Sequence, residues 1–114
     1  MPERGAVWLA NLNPRRGTEP GKNRPVLIVQ AQTLTDAAHP STLIVPLTTH
    51  LIDDAEPLRI RVPAQASLRR DSDLLIDQLR AIDNRRLVEG PLARLDPPTM
   101  ARVAAALREV LDLG

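Results

Sequence analysis

Only one segment of this sequence has the length and periodicity of an amphipathic helix, and it lies near the C-terminus. Asp96 is a suitable N-cap, and Pro97 suits the first helical position. Apolar residues then recur at helical spacing in one stripe, formed by Met100, Val103, Ala104, Leu107, Val110 and Leu111. Gly114 is expected to stop this helix. Because no helix-length segment separates the earlier strand-like segments, a parallel βαβ arrangement is disfavoured.

The remainder of the sequence alternates short strand-like segments with turn residues. The predicted strands cover residues 6–11, 26–30, 42–45, 58–62 and 73–83, with a short piece at 87–88. Pro46 is expected to close the third strand, and the fifth is expected to kink near Asp77-Gln78. Residues 13–24 contain Gly17, Pro20 and Gly21 and predict a loop. These segments predict a mostly β (α+β) fold, a small bent antiparallel sheet or barrel capped by the C-terminal helix.

The length and composition restrict the classes of site that the chain can hold. Its 114 residues suit one domain, 1–114, and the absence of Cys excludes disulfides and thiolate metal sites. The carboxylates at 53, 54 and 56 and at 71 and 73 are interpreted as solvated loop charges, so no metal or other cofactor is expected. No signal peptide or apolar run of about 18 residues is present, which predicts a cytoplasmic protein without a membrane partner.

The charge pattern is compatible with RNA binding but does not demand it. The net charge is only +1, yet arginines cluster at 15–16, 69–70 and 85–86, with Lys22 and Arg24 near the first pair. Solvated surface charge explains any single pair equally well. Trp8 is the only aromatic residue, and its position in an apolar strand favours packing over base stacking. An RNA site here would depend on arginine planes and polar groups.

Polar residues at the predicted strand ends are the candidates for chemistry. They comprise the loop 13–24, the Thr48-Thr49 pair and the segment 77–80. Turn hydrogen bonds would explain Thr48 equally well, and a surface ion pair would explain Arg24. His39, beside Pro40, is interpreted as an exposed loop residue, whereas His50 directly follows the Thr pair.

Three motifs, in order and with consistent spacing, resemble those of the MazF/PemK family of toxin endoribonucleases. The first runs from the strand 5–12 through Pro14 and Gly17-Thr18-Glu19 to Arg24-Pro25 and the next apolar strand. The second is Val45-Pro46-Leu47-Thr48-Thr49. The third covers residues 71–83, with Arg86-Leu87 after it. The resemblance spans nearly the whole chain.

This resemblance implies an SH3-like barrel with a C-terminal helix that acts as a homodimer. It also implies sequence-specific, metal-independent cleavage of single-stranded RNA by the toxin of a toxin–antitoxin pair, which inhibits translation. The implied partner is a MazE-like antitoxin whose acidic disordered tail occupies the RNA groove. The family's essential Arg and Thr match Arg24 and Thr48. The resemblance and the clustered charges together imply a set of RNA-binding residues: Arg15, Arg16, Thr18, Glu19, Lys22, Gln78 and Arg80.

The chemistry expected of such a site agrees with these residue types. When a 2′-OH attacks its own phosphate, negative charge grows on the non-bridging oxygens, so a fixed cation and a hydroxyl donor are needed. The group that accepts the 2′-OH proton stays open: Glu19 and His50 are chemically easier bases, whereas the resemblance favours the Arg.

Two other functions are less consistent with the sequence. A toxin of the same barrel fold that poisons DNA gyrase would need a Trp-Gly-Ile ending, but this sequence ends Leu-Asp-Leu-Gly. A barrel without catalytic activity is the other alternative.

Overall fold

The structure is a computed structural model that describes residues 2–14, 16–19 and 21–114. Within these ranges the chain forms seven strands and two α-helices. In order they are β1 (Ala6–Asn11), β2 (Asn23–Ile28), α1 (Gln32–Asp36), β3 (Ser41–Thr48), β4 (Arg59–Val62), β5 (Ser72–Leu75), β6 (Arg80–Asp83), β7 (Leu87–Arg94) and α2 (Pro97–Val110). None of the helices in the described ranges is long and apolar enough to span a membrane.

The strands form one antiparallel sheet that bends towards closure. Its order is β4-β5-β3-β2-β1-β7, and β6 pairs with β3 beside β5. Among the described residues β4 and β7 do not pair, but the N–H of Ser67 donates to the carbonyl of Leu92 over 2.8 Å. This bond joins the β4–β5 connection to β7, so the open sheet is barrel-like. The predicted fold class, an antiparallel sheet with a C-terminal helix, is confirmed.

Two apolar clusters cover the two faces of the central strands. The first packs Leu27 of β2 and Val45 of β3 against Val103 and Ala106 of α2. The second contains Val26 of β2 and the other members Ala10, Leu12, Ile28, Ile44 and Ile82, with Trp8 and Leu87 packed against it. Side chains alternate between the two faces along a strand, so residues two positions apart share a cluster.

Helix α2 begins as predicted and ends earlier than predicted. The Asp96 side chain accepts a 2.9 Å hydrogen bond from the Thr99 N–H, and Pro97 opens the helix. The expectation that Gly114 stops the helix is wrong. Leu111 is the C-cap, and Asp112 adopts a left-handed φ of 57°, which turns the chain away first.

Several predicted strand boundaries are also wrong, for identifiable reasons. Strand β3 continues through Pro46 to Thr48, because Pro46 lies at the point where the partner of β3 changes from β6 to β5. The kink predicted near Asp77-Gln78 in the strand 73–83 is confirmed as a 3-10 turn, Ile76–Gln78, which divides the predicted strand into β5 and β6. Strand β2 ends at Ile28, and β7 continues through Pro91 to Arg94. The five-residue helix α1, between β2 and β3, was not predicted.

Candidate active site

Arg24 lies near the start of β2, and Thr48 is the last residue of the neighbouring strand β3. In the antiparallel β2–β3 pair Val26 faces Pro46, and Arg24 and Thr48 each lie two residues beyond this pair, at the same end of the two strands. The guanidinium Nη1 of Arg24 donates to the Leu47 carbonyl over 3.3 Å, and its Nε donates to the Gly21 carbonyl over 3.4 Å. Arg24 is half-buried and held by backbone at two points. A second basic residue, Arg80 of β6, is paired with Ile44 of β3.

The Thr48 hydroxyl is oriented by the loop that follows β3. The backbone N–H of His50 donates to Thr48 Oγ1 over 3.2 Å. A hydroxyl has one proton and two acceptor lone pairs, so this bond uses a lone pair and leaves the proton available for donation. Thr48 is half-buried, towards the beginning of the antiparallel strand β2. The hydroxyl can therefore donate to an anionic ligand that Arg24 also contacts.

Residues of the loop between β1 and β2 are tied together at its base. The Asn13 side chain accepts a 2.7 Å bond from the Lys22 N–H, and the Leu12 N–H donates to the Lys22 carbonyl. Arg86 Nη1 donates to the carbonyls of Asn11 and Asn13, over 3.3 and 2.9 Å. The neck of the loop is thus fixed next to Arg24. The sequence motifs included Arg86 but assigned it no role, and Asn13 was noted only as the start of the loop.

An ion pair connects this loop to the far side of β3. The Glu19 carboxylate lies 3.7 Å from the Arg80 guanidinium, which is 27% exposed. Glu19 also closes a turn, because its N–H donates to the Arg16 carbonyl over 2.9 Å. The two residues predicted from separate motifs therefore meet in space.

The other predicted RNA-binding residues within the described ranges lie on the β1–β2 loop or in the 3-10 turn after β5. Arg16, Thr18 and Lys22 are exposed on the loop, and Gln78 is half-buried in the 3-10 turn after β5. The prediction for Arg15 falls outside the described residues. His39 is exposed, as expected.

A buried carboxylate beside Thr48 is the feature that the sequence interpretation got wrong. Asp73 was expected to be a solvated loop charge, but it lies in β5 opposite Thr48, and its side chain is 1% exposed. Arg61 Nε donates to its Oδ1 over 2.5 Å, and Arg59 Nη1 lies 3.2 Å from its Oδ2. Burial alone would raise the pKa of Asp73, but the bonds from Arg61, the Ile52 N–H and Arg59 outweigh it and lower that pKa. The alternating Arg-Ile-Arg sequence of β4 was the available signal, because it places two arginines on one face of the strand, where one carboxylate can pair with both.

The arrangement can stabilise a phosphate from two directions. Arg24 supplies a fixed cation with a planar fork of donors, and Thr48 supplies a hydroxyl proton at the neighbouring position. Among residues 2–14, 16–19 and 21–114, no group of three His, Cys, Asp or Glu is placed to hold a metal ion.

Comparison with known proteins identifies the family of this chain. A family model described as PemK-like, MazF-like toxin of type II toxin-antitoxin system matches residues 3–111. Endoribonuclease EndoA of Bacillus subtilis (strain 168) is 32% identical over 112 residues, which are 97% of this chain and 95% of the relative.

Solved structures share the fold at lower identity. MazF (Form-I) from Deinococcus radiodurans superposes with a TM-score of 0.81 at 23% identity, covering 98% of this chain and 97% of the other. An endoribonuclease in complex with its cognate antitoxin from a mycobacterial species gives a TM-score of 0.78 at 22% identity, covering 100% and 98%.

Proposed function

This chain belongs to the family of PemK-like, MazF-like toxins of type II toxin–antitoxin systems and is an endoribonuclease, and we propose that it cleaves single-stranded RNA without a metal ion at Arg24 and Thr48. The observation that carries this proposal is the contact of Arg24, near the start of β2, with the carbonyl of Leu47, the residue next to Thr48 at the end of β3. A cation and a hydroxyl donor are thereby held at adjacent points of one face.

The reaction that suits this pair is transfer of the phosphate to the neighbouring 2′ oxygen. The 2′ oxygen bonds to phosphorus as its proton passes to a general base, and the bond to the 5′ oxygen breaks as that oxygen takes a proton from a general acid, so that one proton is removed and one is returned. The products are a 2′,3′-cyclic phosphate and a 5′-OH. Negative charge that develops on the non-bridging oxygens is met by the Arg24 fork and the Thr48 proton. In this proposal Arg24 acts as the charge partner of the phosphate, because its guanidinium presents a planar fork of donors.

The surrounding polar residues would hold the RNA strand on either side of the scissile phosphate. Lys22, Arg16 and Arg80, together with Arg15, supply positive charge, while Thr18, Glu19 and Gln78 supply hydrogen-bonding groups that can meet base edges. The Glu19–Arg80 ion pair supports this arrangement, because it brings the loop towards β6, next to the β3 strand that carries Thr48. Sequence specificity would arise where such groups contact unstacked bases.

The physiological setting follows from the family and from the structures that share the fold. MazE–MazF complexes from Deinococcus radiodurans are among those structures. We propose that this chain forms a homodimer and is inhibited in the cytoplasm by a MazE-like antitoxin. An acidic disordered tail of that partner would lie along the same arginines, since these accept carboxylates as well as phosphates.

Two alanine variants test the catalytic assignment. Arg24→Ala and Thr48→Ala should each leave the fold intact, and Arg24→Ala should lower kcat about 10²–10³-fold, because one preorganised donor is lost. Arg94→Ala is the matched control: Arg94 is an exposed arginine that pairs with Glu3 at the opposite end of β1. It should cleave a labelled RNA at the wild-type rate. Activity of Arg24→Ala within a few-fold of wild type would remove Arg24 from the mechanism.

A further inference from the structure

We propose that Asp73 is a positioning residue for RNA cleavage, because it holds the loop 49–52 that orients the Thr48 hydroxyl. This inference rests on the proposed function, in which Thr48 donates to the scissile phosphate. Asp73 itself does not face the phosphate in this proposal. It acts through hydrogen bonds to the residues that follow Thr48.

Asp73 holds the loop at two points with one oxygen. Its Oδ2 accepts a 2.9 Å bond from the Ile52 N–H and a 3.2 Å bond from Arg59 Nη1. The same Arg59 nitrogen donates to the His50 carbonyl over 2.8 Å. The backbone on both sides of Leu51 is therefore tied to a buried carboxylate.

The fixed loop in turn determines what the Thr48 hydroxyl can do. The His50 N–H occupies a lone pair of Thr48 Oγ1, which leaves the hydroxyl proton for the phosphate. If the His50 peptide turned away, Thr48 Oγ1 would lose that donor, and its proton would no longer have a preferred direction. A displacement of about 1 Å at a reacting group can cost up to ~10²-fold in rate.

The chain offers a matched pair of arginines to separate positioning from stability. Arg59 and Arg61 lie two residues apart on β4, on the same face, and both bind Asp73. Only Arg59 also donates to the His50 carbonyl, whereas the second contact of Arg61 is the exposed carboxylate of Asp53, at 2.8 Å. Loss of either arginine weakens the cluster, but only loss of Arg59 releases His50.

The experiment compares Arg59→Gln, Arg61→Gln, Asp73→Asn and Thr48→Ala with wild type in a single-site RNA cleavage assay. Melting temperatures and the exchange rate of the His50 amide are measured for each variant. We expect Arg59→Gln and Asp73→Asn to lower kcat at least about tenfold with KM changed less than threefold. For Arg61→Gln, both kcat and KM should stay within about threefold of the wild-type values. This should hold even if its melting temperature falls as much as that of Arg59→Gln. The His50 amide should exchange faster in Arg59→Gln than in Arg61→Gln.

The outcomes distinguish this inference from the proposed function. An inactive Thr48→Ala with a fully active Arg59→Gln would overturn the positioning role and leave the proposed function standing. If Arg59→Gln and Arg61→Gln lose kcat equally, and in proportion to their loss of melting temperature, then Asp73 and its two arginines only stabilise the fold. That result would also overturn the inference. A fully active Thr48→Ala would instead refute the proposed role of Thr48, on which the inference rests.

Discussion

The contact between Gly90 and Trp8 gives a prediction whose magnitude follows directly from the structure. A Cβ added at Gly90 would lie 2.4 Å from Trp8 Cδ2 and 2.6 Å from Cγ. Gly90 does not have a left-handed φ, so the obstacle is the indole ring rather than the backbone conformation. The ring packs against the second apolar cluster and cannot move inward. Gly90→Ala must therefore displace Trp8 outward or part β7 from β1.

The expected cost is that of overpacking a close contact, about 1–3 kcal/mol. For a chain of 114 residues, at about 4 °C per kcal/mol, the melting temperature should fall by about 4–12 °C. Far-UV circular dichroism measures the melt. Because Trp8 is the only Trp, fluorescence reports its environment alone, and its emission should shift to the red.

A double-mutant cycle supplies the control. In a Trp8→Leu background the clashing ring is absent, so Gly90→Ala should cost less than about 0.5 kcal/mol, and the coupling between the two positions should account for most of the single-variant effect. An unchanged melting temperature and unchanged emission for Gly90→Ala would refute this account of the β1–β7 contact. The same loss in both backgrounds would show that the ring is not the cause.

Three further predictions concern metal independence, assembly and inhibition. RNA cleavage should survive excess EDTA at the wild-type rate; loss of activity that Mg²⁺ restores would contradict the metal-free mechanism. Light scattering at micromolar concentration should give the mass of a homodimer, since two symmetry-related copies would repeat the arginines along a longer surface; a fully active monomer would contradict this. An acidic antitoxin tail should displace labelled, uncleavable RNA from the protein. The affinity of the tail should fall with added salt, because exposed charge pairs are screened over ~8 Å at physiological ionic strength. Simultaneous binding of RNA and tail with unchanged affinities would show that the tail does not occupy the RNA groove.

The elements with strong local signals were predicted well from the sequence. Helix α2 has a capping Asp96, a Pro97 and a regular apolar stripe, and all of these act locally. Strand β1 matched its predicted bounds because its apolar pattern is clear. The boundaries that failed depend on partners distant in sequence. Pro46 looked like a strand end, yet β3 passes through it because its neighbour changes there.

The same distinction applies to the candidate site. The motifs identified Arg24 and Thr48, and the contact of Arg24 with the Leu47 carbonyl brings the two residues close together. Asp73 was misinterpreted because its burial depends on two arginines of β4, twelve and fourteen residues away. The residues adjacent in sequence do not distinguish a carboxylate that will bind two arginines and an N–H from a carboxylate that faces solvent. The role of Arg86 at the neck of the β1–β2 loop could not be predicted for the same reason, because the carbonyls to which Arg86 donates lie more than 70 residues away in sequence.

The most direct test of the central claim is to map the ends produced when the purified protein cuts a long RNA in EDTA. The account predicts cleavage at a short recurrent sequence in single-stranded regions, with a 2′,3′-cyclic phosphate on one fragment and a 5′-OH on the next. Both products should form about 10²–10³-fold more slowly with Arg24→Ala. Fragments with 5′-phosphate ends, or cuts that persist undiminished in Arg24→Ala, would contradict it.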